Sequence, residues 1–163
     1  MAPVRVRPVA AGDAAWAEQV LRDLTAGPRI VSRGRLHDGT ALPGYVAEAD
    51  GDPVGLLLYE VVGDQCEVVF VGATTERTGA GAALLDTAVA HAMEARCTRC
   101  WLVTTNDNIN AIRFYQRRGW DLAAVHRDAV TESRHLKPEI PETGTDGIPI
   151  RHELEFEHRL PDR

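Results

Sequence analysis

QCEVVFVGA (residues 65–73) runs directly into TTERTGAGA (74–82) and then into ALLDTAVAHAM (83–93). β-Branched and aromatic residues crowd the first piece, which reads as a well-buried strand. In the third, Leu84, Leu85, Ala88, Val89, Ala92 and Met93 recur at the one-and-four spacing of a buried helix face. A strand, a loop with two glycines and a helix therefore stand in succession. The first N–H groups of a helix have no partner inside it, and Gly79 and Gly81 remove the side chains that would keep an anion away from them. A phosphate-bearing ligand fits there, with the helix dipole adding about 0.3 to 1 kcal/mol. The competing reading is that the glycines serve only a tight turn and close packing. No Gly-Lys-Ser or Gly-Lys-Thr closes the loop, and Leu84 stands where a dinucleotide fingerprint needs its third glycine, so nucleotide hydrolysis and NAD binding are disfavoured.

Upstream, VRVRPV (4–9) alternates as a strand, and Asp13 is placed to cap a helix to about Leu24 whose face carries Trp16, Val20, Leu21 and Leu24. Residues 27–44 read as a loop with a short helical turn. Tyr45 to Ala49 and Pro53 to Val62 read as antiparallel strands joined by Asp50-Gly51, and Gly63-Asp64 turns into the decisive strand. Downstream, CWLVTT (100–105) is a strand, and Asn106-Asp107-Asn108 offers caps for a helix from Ile109 to Arg118 that stops at Gly119. Asn108, Ala111, Ile112 and Tyr115 share one face of that helix, so Asn108 and Tyr115 can meet one ligand. Trp120 to Val125 begins another strand. Residues 127–150 hold Pro138, Pro141, Pro149, Gly144 and Gly147, a broken segment suited to covering an acceptor pocket or to packing on a second subunit. Finally, Leu154 and Phe156 alternate with Glu153, Glu155 and Glu157, a half-buried strand with a solvated acidic face.

The 163 residues suit a single domain spanning 1–163, and 44% apolar with 26% charged residues is the balance of a packed protein. A formal charge of −6 has the wrong sign for gripping nucleic acid. No apolar run approaches the ~18 residues of a membrane helix, and the start lacks a signal's apolar stretch, so no membrane association and a cytoplasmic location are expected. Cys66, Cys97 and Cys100 are an odd count suited to a reducing compartment; Cys97 and Cys100 have no second pair to complete a zinc site and read as a helix end and a strand start. RHELEFEH (151–158) lacks the spacing of H-E-x-x-H, and no metal is expected.

Two stretches resemble motifs of the GCN5-related N-acetyltransferase (GNAT) superfamily. Glu76-Arg77-Thr78-Gly79-Ala80-Gly81 is similar to its acyl-CoA pyrophosphate loop, and Asn108 to Trp120 (NINAIRFYQRRGW) to its Asn-x-x-Ala-x-x-x-Tyr-x-x-x-Gly-aromatic element, the more specific match. Glu76 departs from the Arg or Gln usual at its position, with Arg77 next to it as a substitute, and Trp120 replaces the usual Phe. The resemblance implies an α+β fold, an α/β/α sandwich whose mixed, mostly antiparallel sheet splays between the 65–73 and 100–105 strands with helices on both faces. It implies acetyl-CoA as co-substrate in the opening: Phe70 and Val71 on the pantetheine amides, the backbone of Thr78, Gly79, Ala80, Gly81 and Ala82 on the pyrophosphate with Arg77 beside it, Asn108 on the pantetheine side, and Arg117 or Arg118 on nucleotide phosphates.

The implied reaction is direct attack of a primary amine, that of a small molecule above all, on the thioester, with Tyr115 as general acid. Glu67 is matched to the carboxylate base of some members and Glu60 could act through water; both also read as solvent-facing strand acids. His37, Glu60 and Glu153 are candidate acceptor contacts, against a reading as surface residues. The last strands of this fold often mediate dimers, so a homodimer is an expectation too. Two alternatives stay open at this point: a non-catalytic acyl-CoA-binding regulatory module, and transfer to protein amines.

Overall fold

A computed structural model of the chain describes residues 3–162. In chain order its elements are β1 (Val4–Pro8), α1 (Ala14–Thr25), β2 (Arg29–Ser32), β3 (Arg35–Asp38), β4 (Gly44–Ala49), β5 (Asp52–Val62), β6 (Gln65–Ala73), α2 (Ala80–Glu94), β7 (Arg99–Thr105), α3 (Ile109–Arg117), β8 (Asp121–His126), α4 (Ala129–Leu136) and β9 (Glu153–Arg159). Seven strands form one sheet in the order β1-β4-β5-β6-β7-β9-β8, antiparallel except for the β6/β7 pair. The expected mixed, mostly antiparallel sheet is present, with helices on both faces.

Alternation along the strands sorts side chains into two cores. Leu57, Cys66, Val68, Leu102 and Phe156 meet the α2 stripe of Leu84, Leu85, Ala88 and Ala92 on one face, while Val46, Leu56, Leu58 and Phe70 meet Val20 and Leu21 of α1 on the other. The helix periodicities thus put their apolar stripes where the pleat needs them. Asp50-Gly51 forms the β4/β5 turn with both residues at positive φ, 53° and 80°, the geometry of a two-residue hairpin loop.

The sheet opens in one place. β6 and β7 pair only at Gln65/Arg99, Cys66/Cys100 and Glu67/Trp101. Just beyond, β6 bulges: Leu58 opposes Phe70 and Tyr59 opposes Val68, leaving Val69 without a partner on β5. A bulge bends its strand and sharpens its twist. It turns β6 away from β7, whose other edge stays paired with β9 from Arg99/Arg159 to Thr105/Glu153.

Four features differ from the reading of the sequence. Residues 27–44 contain a hairpin, β2/β3, turned by Arg33 and Gly34 at φ 50° and 76°. The Asp13 side chain does not cap α1; it accepts from the Ala10 N–H at 2.7 Å and from Arg7 at 2.7 and 2.8 Å. The acidic side of β9 is not solvated, because Glu153 meets Arg33 at 3.1 Å and Glu155 meets Arg99 at 2.7 Å and His126 at 2.9 Å. Burial raises the Glu155 pKa, but these hydrogen bonds outweigh it and hold the carboxyl below its ordinary value. The proline-broken 127–150 segment carries α4, and buried Lys137 just after it donates to the Thr25 and Arg29 carbonyls at 2.5 and 2.6 Å.

Arg7 also meets Glu48 at 2.6 Å, so it ties β1, β4 and the entry to α1 together. Its hydrogen bonds lower the Asp13 pKa from 3.8 to about 2. A carboxyl whose folded pKa lies below its unfolded one stabilises the fold above the unfolded value and loses that contribution as pH falls through the folded one. Denaturant unfolding is therefore expected to show stability dropping from pH 3.8 toward about 2. Asp13→Asn should flatten that slope.

Candidate active site

Where β6 and β7 part, a cleft of about 380 Å³ opens, lined among others by Phe70, Val71, Thr104, Asn108 and Tyr115. Past Glu67 the edge of β6 that faces β7 has no ladder, so its backbone groups are available to an extended ligand. At the far end of β6 the chain enters α2 through Gly79, whose φ of +81° is left-handed. The Ala83 N–H closes the first helical bond to the Gly79 carbonyl at 3.1 Å, and Thr78 Oγ1 accepts from the Ala80 N–H at 3.2 Å. That occupies one of the five amides expected to form an anion cradle, and the Gly81 and Ala82 N–H groups of the first turn have no partner among the described residues. A Cβ on Gly81 would sit 3.6 Å from Phe114, so its glycine is a matter of openness and not of clash.

Arg77 is exposed beside this turn. Arg117 is exposed and makes no ion pair among the described residues, whereas Arg118 is engaged by both Asp86 oxygens at 3.0 Å and ties α3 to α2. Of the two arginines offered for nucleotide phosphates, Arg117 is the one not already held. Asn108 caps α3, as expected, and lies at the cleft. Its oxygen accepts from the Ala111 N–H at 3.3 Å as the α3 cap, its amide donates to Thr104 Oγ1 at 3.2 Å, and the side chain still borders the cleft.

Tyr115 projects from α3 into the same cleft, 7% exposed, with its ring 5.5 Å from that of Phe156 and 6.3 Å from that of Trp120. Burial pushes its hydroxyl up to about 12, so it stays protonated across the working range of pH. Its hydroxyl has no hydrogen-bond partner among the described residues, which leaves it free to donate to a ligand.

On the opposite face, at the last rung before the strands part, stands Glu67. It is 4% exposed and not solvent-facing. The β2/β3 hairpin lies over it: Ser32 Oγ donates to Glu67 Oε2, and His37 Nε2 lies 3.9 Å from Glu67 Oε1. Burial raises the Glu67 pKa, opposed by the Ser32 hydrogen bond and reinforced by nearby Glu60 and Glu153. Burial lowers that of His37, so the ring is neutral near neutrality.

Glu60 lies beside His37, with Arg35 on its other oxygen at 3.2 Å, and Glu153 is bound by the Arg33 guanidinium at 3.1 Å and backbone N–H at 3.2 Å. His37 and Glu153 are thus buried partners of charged groups and not surface residues. His37, Glu60 and Glu67 bring ligand atoms within 4.8 Å of one another, as a cation site would. The imidazole, however, turns one nitrogen to each carboxylate, and a single ion would use only one of them.

Sequence reasoning missed Ser32, Arg33 and Thr104. The signal for the first two was Arg33-Gly34 between IVS and RLH, a two-residue turn between short stretches that each carry apolar residues.

A sheet split beside an anion-ready helix start, with a tyrosine in the split, defines an acyl-CoA transferase type of fold. The profile of the acetyltransferase (GNAT) family matches residues 13–120, and the chain belongs to that family. Over 116 residues, 71% of this chain and 72% of the other, it is 45% identical to YdhI, an uncharacterized protein of Bacillus subtilis (strain 168). Among solved structures, it is similar to a Bacillus subtilis acetyltransferase in complex with CoA, with a TM-score of 0.68, 14% identity, and coverage of 99% of this chain and 100% of that one. A GNAT family acetyltransferase from Elizabethkingia anophelis with acetyl-CoA bound gives a TM-score of 0.69 at 16% identity, covering 96% of this chain and 98% of that one. At these identities the two likenesses show the fold. No described helix is long and apolar enough to cross a membrane.

Proposed function

We propose that the protein is an acetyl-CoA-dependent N-acetyltransferase acting on a primary amine of a small molecule. The observation that carries this is the parting of β6 and β7 after Glu67/Trp101 into a cleft that holds Tyr115, with unbonded α2 amides at its wide end. Pantetheine amides would take the free β6 edge near Phe70 and Val71, and the pyrophosphate the N–H groups of Gly81 and Ala82 with Arg77 and Arg117 near. Two neighbours in fold carry CoA or acetyl-CoA, which supports the assignment.

In this reading the acceptor ammonium approaches on the hairpin face and gives a proton to Glu67. The neutral amine forms a C–N bond at the thioester carbonyl, the C–S bond breaks, and Tyr115 gives its proton to the departing thiolate. Glu60 borders the approach with His37 and Glu153 behind it, and the two carboxylates favour a cationic acceptor.

Calorimetric titration with acetyl-CoA, followed by thiol release from acetyl-CoA over a panel of small amines and peptides, tests the proposal. Amine-dependent thiol release is expected; tight acetyl-CoA binding without it would leave a binding module, and no acetyl-CoA binding would refute both. Gly79→Ala forces a Cβ into a left-handed turn at a cost of roughly 1–2 kcal/mol and tilts the first turn of α2. Acetyl-CoA affinity should fall about ten-fold in the same titration.

A further inference from the structure

On one side of the last paired rung of β6 and β7, Glu67/Trp101, lies a second hollow of about 270 Å³, lined among others by Arg35, Glu60, Val62, Asp64, Glu67 and Trp101. On the other side, at Val68 and Leu102, the cleft already described begins. Glu67 therefore stands where the two spaces meet. Its side chain is only 6% exposed; Oε2 is taken by Ser32, while Oε1 has no hydrogen bond among the described residues, His37 Nε2 lying 3.9 Å away. A buried carboxylate oxygen left open toward a cavity is an acceptor that a ligand's N–H completes.

The other walls carry negative charge in excess. Glu60 and Asp64 face the hollow together with Glu67, against the single guanidinium of Arg35, which lies 3.2 Å from Glu60 Oε1. Asp64 is exposed and makes no ion pair among the described residues. Arg99 stacks over the Trp101 ring at 5.2 Å but is held by Glu155 and Glu157 at 2.7 and 3.5 Å. His37, behind Glu60 and Glu67, is kept neutral by burial and adds no cation. Val62 and Trp101 supply the apolar part of the wall.

We propose that this hollow holds the acceptor and that the acceptor is a short alkyl diamine, with one nitrogen at Glu67 and the second, still charged, between Glu60 and Asp64. The inference rests on the reading of Glu67 as the base. The first ammonium gives its proton to Glu67 and attacks the thioester, and the second keeps its proton and meets the two carboxylates that stay ionised. Glu60 pairs with Glu67 across β5 and β6, and Asp64 precedes Glu67 by three residues, about 10 Å of extended chain. A spacer of about four carbons bridges that span once each nitrogen stands a hydrogen bond from its carboxylate. Its methylenes lie along Val62 and Trp101. So small a hollow excludes a bulky acceptor, and an amino acid would bring its own carboxylate against Glu60 or Asp64. A diamine acetylated at one end has lost the charge that anchors it, so a second transfer is disfavoured.

The test compares diaminobutane with butylamine, alike in carbon chain and different in the second charge, by thiol release from acetyl-CoA with the full chain. kcat/KM should favour the diamine by about ten-fold or more, chiefly through KM. Asp64→Asn, at an exposed position, should cut that preference about ten-fold, and Arg35→Gln, which removes a competing cation, should raise it. Mass spectrometry should show the monoacetylated diamine accumulating. Equal kcat/KM for the two amines, a preference unmoved by Asp64→Asn or lowered by Arg35→Gln, prompt diacetylation, or faster release with peptide amines would each overturn the diamine assignment. Absence of thiol release with every amine of the panel would instead refute the proposed function itself.

Discussion

Tyr115→Phe should lower turnover about 10²- to 10⁴-fold with acetyl-CoA binding nearly unchanged. Only the hydroxyl is removed. The ring that packs on Phe156 and Trp120 is kept, so the cleft wall and the α3 position persist. A group held at about 12 remains protonated wherever the enzyme works and is available as donor at each turnover. The same dry surroundings that keep it protonated make an uncompensated thiolate costly, which is why a placed proton matters there. Single-turnover kinetics with saturating acetyl-CoA would isolate the step; an unaltered rate would remove Tyr115 from the chemistry.

Glu67→Gln should be comparably damaging, by about 10²-fold or more, because the amide cannot take a proton. Its signature lies in pH. Burial first, and then Glu60 and Glu153, raise the Glu67 pKa above its ordinary 4.5 against the Ser32 hydrogen bond. A base works only when unprotonated, so activity should fade on acidification at a higher pH than an ordinary carboxylate would give. Ser32→Ala removes the opposing hydrogen bond and should move that limb higher still. Stability carries the opposite sign: a carboxyl whose folded pKa is raised loses stability as pH rises through that pKa. Glu67→Gln should therefore unfold at the same or higher denaturant concentration near neutrality, which separates lost chemistry from lost structure.

Much of this architecture is legible in the sequence because local rules and global packing agree. The 65–93 stretch announces its strand, turn and helix through β-branching, glycines and a four-residue stripe, and each forms within three residues of expectation. Asn108 and Tyr115 are readable for the same reason: helical spacing fixes their common face. The β2/β3 hairpin was not, since four-residue strands give alternation too little length to register. Its absence from the reading carried the acidic residues with it. Glu67 and Glu153 look solvated when nothing covers them, and only the hairpin that brings Ser32, Arg33 and His37 across the sheet makes them buried. Asp13 failed as a cap through competition, because Arg7 offers it two charge-assisted bonds where a helix amide offers one.

Lys137 lies beyond the 13–120 stretch that the family profile matches, yet its ammonium fastens the last turn of α1 and the first residue of the hairpin. A segment between β8 and β9 therefore steers the hairpin that roofs the carboxylates. Because Thr25 and Ile30 also line the cleft between β6 and β7, the hold of Lys137 reaches the cleft wall as well as the hairpin.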